Sequence, residues 1–283
     1  MPERTLAAFL AGLHRLEQFP ELAKMRGLHN QGFWEDLMHD DLLGILLDLS
    51  GAVLFELCSE GAFGPAPAVG SWKEKLDVQL AAAHIQLLKW CADNGRECSQ
   101  PKFRVLNLSM NTKDDWPCLK AKAHNSSVVG DWLATVAVNF VDTIYTEIRS
   151  VCVSAFASLW VLVQDTKFPN FVLSDDQVAR ASNLREEALL SYEWLSNACE
   201  FGGVFRYKIR PKYHNLDHGV RRMIRTKLSM SLSYSFSPED VMGMCARMCN
   251  KTHATSMMRR GVGRWLLAFV AGLSSDEEDS SSD

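Results

Sequence analysis

A run of leucines between Asp36 and Cys58 constrains the fold more than any other feature of this sequence. Leucine occupies positions 37, 42, 43, 46, 47 and 49, at spacings that suit a helix. These positions cover more of the helix circumference than the single apolar stripe of a surface helix. The run therefore predicts a helix that is buried on most of its sides.

Most other segments also show helical patterns, so the sequence predicts a mainly α fold. The Gly- and Pro-containing segment 59–70 predicts a loop. Residues 103–108 (FRVLNL) alternate between apolar and polar side chains and predict the one short strand. The predicted helices are Thr5–Phe19, a helix capped by Ser71 that ends near Ala92, a long helical region over 128–163, and a helix that starts from a capping box at Ser174 and ends near Ala198.

The charges divide the chain into three regions. Residues 1–203 are helical and acidic, with a net charge of −9, and residues 204–264 carry +10. Pro211, Ser237-Pro238 and Gly261/Gly263 punctuate three short helices in this basic region, which we extend to residue 273. Residues 274–283 (SSDEEDSSSD) form an acidic tail that we expect to be disordered. A basic segment of this kind suits recognition of a polyanion, but it suits equally a face that docks on the acidic part of the same chain.

The cysteines and the apolar runs indicate the cellular compartment of the protein and whether it contacts a membrane. None of the eight cysteines lies in a C-x-x-C pair, and most lie in apolar helical stretches, so we expect reduced thiols in an intracellular protein. No signal peptide pattern opens the chain. The longest apolar runs, 42–58 and 151–163, are interrupted by acids or too short to cross a bilayer, so we expect no membrane contact.

The common catalytic motifs are absent from the sequence, and three clusters of reactive residues remain. The sequence contains no P-loop, no G-x-G-x-x-G, no G-x-S-x-G and no H-E-x-x-H. Asp36 and His39 stand at D-x-x-H spacing, which could hold a divalent metal or a catalytic water. Acids also favour any helix N-terminus, and the residues alone favour that second explanation.

The other two clusters lie in the basic region. His214 and His218 stand four residues apart, a spacing found in zinc sites, although no third or fourth ligand is identifiable nearby. Ser237-Pro238-Glu239 is typical of a helix start, with the serine as N-cap and the proline at the first helical position. The following Cys245, Cys249 and His253 then form a packed helical face rather than a ligand set.

Five motifs occur in an order that resembles a known family. They are D-L-M-H with L-L-G (36–44), W-P-x-L-K-A-K-A (116–123), Y-K-I-R-P-K-Y-H-x-x-x-H (207–218), S-P-E-D-V-M-G (237–243) and R-x-x-x-R-W-L-L (260–267). This order resembles the C-terminal half of DDE-type transposases of the CACTA and KDZ kind, as in the transposase-like reading frames of dinoflagellates.

The resemblance implies a fold and a site. The chain would be the C-terminal part and helical insertion of an RNase H-like fold, located in the nucleus with DNA as its partner. Asp36 and His39 would be the D-x-x-H pair, Glu239 the last metal-binding carboxylate, and Mg²⁺ or Mn²⁺ the cofactor if the site is complete. Only 35 residues precede Asp36, too few for the strands that carry the other catalytic carboxylates. We therefore expect a transposase-derived protein that is inactive by itself.

Two functions follow as hypotheses. The first is sequence-independent binding of nucleic acid through residues 204–264, with Tyr207 and Tyr213 available to stack on bases. The second is a non-enzymatic interaction or scaffold protein whose basic segment meets acidic protein surfaces. A nucleic-acid site should place its cations on one exposed stripe, whereas a scaffold should disperse them or pair them with acids of residues 1–203. The predicted phosphate contacts are Arg206, Lys208, Arg210, Lys212, Arg221, Arg222 and Arg225.

Overall fold

The computed structural model describes residues 38–65, 67–166 and 170–233, and these residues are predominantly helical. The mainly α fold is therefore confirmed. All the described residues belong to one compact unit that ends at Ser233. Six α-helices run through the described residues: α1 (Leu46–Ser59), α2 (Trp72–Asp93), α3 (Ala123–Ala137), α4 (Ile144–Asp165), α5 (Asp175–Phe201) and α6 (Pro211–Thr226).

The leucine-rich run forms one continuous helix of 22 residues, of which the first part, Met38–Ile45, is π-helical and leads directly into α1. Leu42, Leu46, Leu49 and Leu54 are each at most 1% exposed. Helices α2, α3, α4 and α6 pack against this helix, and α5 packs along α4. The predicted helix and its burial on most sides are therefore confirmed within the described residues.

Serine caps place two further helices where the sequence predicts them. Ser71 and Ser174 each accept a hydrogen bond from the backbone of the third helical residue, whose side chain returns the bond to the cap. Helix α5 runs to Phe201, three residues beyond the predicted end. The loop between Ser59 and Ser71 also lies where it was predicted.

The predicted strand over 103–108 is wrong, because Val105–Leu108 form a short 3₁₀-helix. Val105 and Leu108, three residues apart, both turn into the core, and the Val105 N–H donates to the Asp77 carboxylate at 2.7 Å. Within the described residues no strand is formed. One isolated antiparallel bridge joins Val172 to Leu228.

The long helical region over 128–163 is divided in two. Helix α3 ends at Ala137, and after a 3₁₀ turn α4 starts at Ile144, where Thr143 and Thr146 form a capping box. Gly202 and Gly203 end α5 as predicted, and Gly203 takes a φ of +67°, which suits glycine. The compact unit nevertheless continues past residue 203 to Ser233, so residues 204–233 are part of the same unit as the acidic helices.

Two helices are long and apolar enough to cross a membrane by length and composition, namely Met38–Ser59 and Ile144–Asp165. In their most apolar windows 78% and 67% of the residues, respectively, are buried inside the protein. Core helices of this kind pass the same test, so this is weak evidence for a membrane span. The absence of membrane contact stays a prediction.

Six cysteines lie in the described residues, and all six are free thiols: Cys58, Cys91, Cys98, Cys118, Cys152 and Cys199. Burial raises the pKa of Cys152 to about 12. Four of the six, Cys58, Cys91, Cys152 and Cys199, are buried and pack as apolar core side chains, whereas Cys98 and Cys118 are partly exposed.

Candidate functional site

The basic segment lies against the helix that opens the described chain. Arg210 Nη2 donates to Asp48 Oδ1 at 2.8 Å, and Lys212 Nζ donates to the Leu43 carbonyl at 3.0 Å. Asp48 is buried, and burial raises its pKa while the nearby Arg210 charge opposes that rise. Close approach is possible at Gly44, where an added Cβ would meet the Lys212 side chain at 2.7 Å. The basic segment therefore docks on acids and carbonyls of the same chain.

An ionic network lies about two turns further along α1 than Asp48, around Glu56. The Glu56 carboxylate accepts hydrogen bonds from the Tyr145 hydroxyl at 2.6 Å and from the Tyr207 hydroxyl at 2.7 Å. The fully buried Arg149 guanidinium donates to Glu56 at 3.2 Å and to Glu60 at 2.8 Å. Burial raises the pKa of Glu56 above its usual range, although both tyrosines and Arg149 act in the opposite direction.

Two consecutive residues fasten the segment 204–210 to the core. The Arg206 guanidinium carbon lies 4.1 Å from the centroid of the Phe55 ring, and the Arg206 side chain donates to its neighbour's carbonyl. Tyr207 is 1% exposed, meets the Tyr192 ring edge-on, and takes a φ of +46°, a strained conformation for a residue with a Cβ. The contacts of Arg206 and Tyr207 hold the segment in this conformation.

The apolar residues of the same segment face solvent. Phe205 and Ile209 are 48% and 47% exposed, and Phe201, at the end of α5, is 98% exposed. The Phe205 ring contacts the ring of Trp116, and Lys208 lies 6.0 Å from the centroid of that ring. We call this surface the loop surface; its residues are Trp116, Phe201, Val204, Phe205, Lys208 and Ile209.

The loop surface was missed by the sequence analysis. Its signal is present in the motif F-G-G-V-F at 201–205, where apolar residues flank the glycines that end a helix. Such a motif usually turns its aromatic side chains inward. The outward direction follows only from the contacts of Arg206 and Tyr207 with residues about 150 positions earlier.

The predicted phosphate contacts divide into two groups. Arg206, Arg210 and Lys212 are occupied by the contacts with Phe55, Asp48 and the Leu43 carbonyl. The two tyrosines predicted to stack on bases also make contacts within the protein. Tyr207 is buried, and the Tyr213 hydroxyl donates to the Leu189 carbonyl at 2.6 Å.

The second group lies outside these contacts. Lys208 is exposed on the loop surface, and the remaining residues lie on α6, whose opposite face buries Leu216, Val220 and Met223. Arg221 is exposed and pairs with Asp217 at 2.9 Å, while Asp217 also accepts from Arg185 at 2.6 Å. At helical spacing the exposed side of α6 carries His214, His218, Arg221, Arg222 and Arg225.

The D-x-x-H cluster is described only in part. His39 is exposed at the start of the π-helical segment, while Asp36 and Glu239 lie outside the described residues, as do the predicted start of a helix at Ser237-Pro238 and the acidic tail. Asp40 is buried and accepts a hydrogen bond from the Asn215 amide of α6 at 3.2 Å. The assignment of Asp36, His39 and Glu239 to a catalytic site stays a prediction.

Asp41 is a buried carboxylate. It is 1% exposed, and neither carboxylate oxygen accepts a hydrogen bond from the part of the chain that the structure describes. Burial, helped by the adjacent Asp40 charge, raises the pKa of Asp41 to about 7. Within the described part of the chain, no group of three or more His, Cys, Asp or Glu residues is arranged to hold a metal ion.

A groove of about 580 Å³ lies on another side of the protein, lined by α2, α3, α4 and α5. Its charged lining includes Arg180 and the ion pair between Arg96 and Asp131. The cation of that pair is already neutralised, and the remaining lining is largely small side chains such as Ala134 and Ser158.

Comparisons of the chain with protein-family models, with curated proteins and with solved structures found no match.

Proposed function

We propose that this chain is a helical assembly protein that binds a second copy of itself through the loop surface. One observation carries the proposal: within residues 204–209 the Arg206 and Tyr207 side chains turn inward, whereas the apolar side chains turn outward. Arg206 and Tyr207 are 7% and 1% exposed, whereas Phe205 and Ile209 are about half exposed. This arrangement reverses ordinary burial, and an exposed apolar patch of this kind is typical of a protein interface.

The exposure of the loop surface is enforced by the fold. To turn Phe205 inward, the segment would have to withdraw Tyr207 from Glu56 and Arg206 from Phe55. The Glu56 side chain is only 12% exposed, so a lost donor there costs about 1–3 kcal/mol. The apolar side chains are therefore presented to solvent by the same contacts that stabilise the core.

The charges at the two ends of the loop surface suit a second copy. Glu200 directly precedes the loop-surface residues 201–209 in the sequence, Lys208 lies near their end, and both side chains are exposed. A two-fold interface pairs each residue i with residue j of the other copy and each j with i. An antiparallel approach of two loop surfaces would therefore place Glu200 of each copy opposite the partner's Lys208, with the apolar residues between them.

The energetic contribution of Phe201 can be stated as an order of magnitude. Its side chain is 98% exposed, and full burial of a phenylalanine contributes about 1.5–3 kcal/mol. A two-fold dimer buries this side chain twice, so Phe201→Ser should weaken the dimer by at least about a hundredfold. The matched control is Val69→Ser, because Val69 is 87% exposed in a different loop.

The experiment is sedimentation velocity with light scattering over a concentration series. We expect a dimer for the unmodified chain and for Val69→Ser, and a monomer for Phe201→Ser. Glu200→Lys and Lys208→Glu should each weaken the dimer, and the double variant should recover it because the pair is reversed on both sides. A monomer at all concentrations, or a dimer that is indifferent to Phe201→Ser, would exclude this interface.

Nucleic-acid binding by a transposase-derived protein is the second candidate, and the outer side of α6 favours it. Three arginines, Arg221, Arg222 and Arg225, lie on one side of an amphipathic helix. Binding to a fluorescent single-stranded DNA should weaken with rising salt and with Arg225→Ala, but not with Arg180→Ala, which removes an exposed arginine of α5. Equal affinity of the two variants would count against α6 as the nucleic-acid surface.

Catalytic cleavage of DNA would be expected only of this second candidate, a transposase-derived protein. A functional DDE site would give DNA nicking that depends on Mg²⁺ or Mn²⁺ and that Glu239→Ala abolishes. We expect no such activity from the chain alone.

A further inference from the structure

We propose that His214 and His218 form a two-imidazole site for a divalent transition-metal ion on the outer side of α6. The two rings stand one helical turn apart with their centroids 4.3 Å from each other and their planes inclined by 65°. The i, i+4 pair on one helix side is the spacing by which helices present two imidazoles to one metal ion. The site is independent of the loop surface.

The separation of the rings fits joint coordination. Imidazole nitrogens bind zinc at about 2.0–2.1 Å, so two nitrogens at a tetrahedral angle stand about 3.3 Å apart. The ring centroids are 4.3 Å apart, so the rings are close enough for a change in the side-chain torsions to bring one nitrogen of each ring to a shared ion.

Both imidazoles are accessible and uncommitted. His214 is exposed and His218 is half-buried. None of the four ring nitrogens of His214 and His218 takes part in a hydrogen bond with a described residue of the chain. This differs from His124, whose ring nitrogen lies 3.0 Å from the Glu97 carbonyl. The nitrogens of His214 and His218 are therefore free to act as ligands.

The helix that carries the pair is held firmly in place. Arg210 binds Asp48 just before α6, and Asn215 binds Asp40 between the two histidines. Asp217 binds both Arg185 and Arg221, so its carboxylate fixes α6 on α5 and is not available as a third ligand. Anchoring of this kind preorganises the two imidazoles and reduces the entropy lost when an ion binds.

The ligand set determines the class of ion. Imidazole suits Zn²⁺, Cu²⁺ and Ni²⁺, whereas Mg²⁺ and Ca²⁺ prefer oxygen ligands. Within the described residues no third His, Cys, Asp or Glu joins the pair, which leaves the other coordination positions of the ion open to non-protein ligands. A site with open positions can accept an anionic group from another molecule next to Arg221 and Arg222, one turn further along the helix.

The test is isothermal titration of the full chain with ZnCl₂, and separately with NiCl₂ and MgCl₂. We expect Zn²⁺ and Ni²⁺ to bind and Mg²⁺ to give no signal. His214→Asn and His218→Asn should each weaken binding by at least about tenfold, because each leaves a single imidazole. His124→Asn is the matched control, since it removes one histidine from another exposed site.

Further histidines lie outside the described residues, so the variants rather than the wild-type titration decide the location. Circular dichroism should show that both variants keep their helices, because neither side chain contributes to the core. The proposal is overturned if the wild-type chain binds no Zn²⁺ or Ni²⁺, or if the affinity is the same in His214→Asn, His218→Asn and His124→Asn. The same titration on Phe201→Ser separates this proposal from that of the dimer, because metal binding should persist in that monomer.

Discussion

Replacement of Asp41 by asparagine should make the protein more stable at neutral pH. Asp41 is 1% exposed, and no described residue donates a hydrogen bond to either of its carboxylate oxygens. A charge in such a position is costly, and the protein avoids it by keeping the group protonated up to a pKa of about 7, against the usual 3.8. Asparagine has nearly the same shape and cannot ionise.

The sign of the pH dependence follows from proton linkage. Between about pH 4 and pH 7 the folded chain keeps the Asp41 proton while the unfolded chain loses it, so stability falls as pH rises through that window. The higher pKa in the folded chain corresponds to about 4 kcal/mol at pH 8, of which about 2 kcal/mol is already present at pH 5. The free-energy difference between Asp41→Asn and the wild type should therefore grow by about 2–3 kcal/mol between pH 5 and pH 8.

Urea unfolding followed by tryptophan fluorescence at both pH values measures this difference. Asp48→Asn is the control, because Asp48 is also buried but binds Arg210 at 2.8 Å. The control should lose stability, since Arg210 is left without its carboxylate. A constant difference between Asp41→Asn and the wild type across pH 5–8 would refute the assignment of a protonated, unpartnered carboxyl at this position.

Three further substitutions test the core. Tyr207→Phe should cost about 1.5–3 kcal/mol in urea unfolding because Glu56 loses a charge-assisted donor, and an unchanged midpoint would show that the bond contributes nothing. Arg149→Met should cost about 3–5 kcal/mol by the same assay, since it leaves the Glu56 carboxylate, which is 12% exposed, without its cation; a loss below about 1 kcal/mol would contradict a stabilising role for this pair. Gly51→Ala should lower the melting temperature despite the better helix propensity of alanine, because the new Cβ would stand 2.8 Å from the backbone of Cys118; a higher melting temperature would contradict this close contact.

The elements that the sequence predicted correctly are those with local causes. The capping boxes at Ser71 and Ser174 use residues three positions apart, so the sequence contains the whole interaction. Thr143 and Thr146 form a box of the same geometry, but threonine at the third helical position is a weaker signal than glutamate or glutamine. The break between α3 and α4 was therefore missed.

The errors and omissions concern non-local contacts. Residues 103–108 alternate as a strand does, but the Val105 N–H binds Asp77 on α2 and no neighbouring strand is available. The orientation of the basic segment depends on two hydrogen bonds, from Arg210 to Asp48 and from Tyr207 to Glu56. The net charge of the basic segment is compatible both with this docking and with polyanion binding. Only the structure shows which of its cations contact residues of the same chain.

The contact between Glu56 and Tyr207 can form only late in the synthesis of the chain, because the two residues are 151 positions apart. At about 5–20 residues per second, the ribosome needs roughly 8–30 s to deliver the tyrosine after the glutamate. During that interval the apolar helix Met38–Ser59 is without α6, one of the elements that cover it in the finished protein. The nascent chain should therefore be a client of chaperones that shield apolar helices until residues 206–226 have emerged.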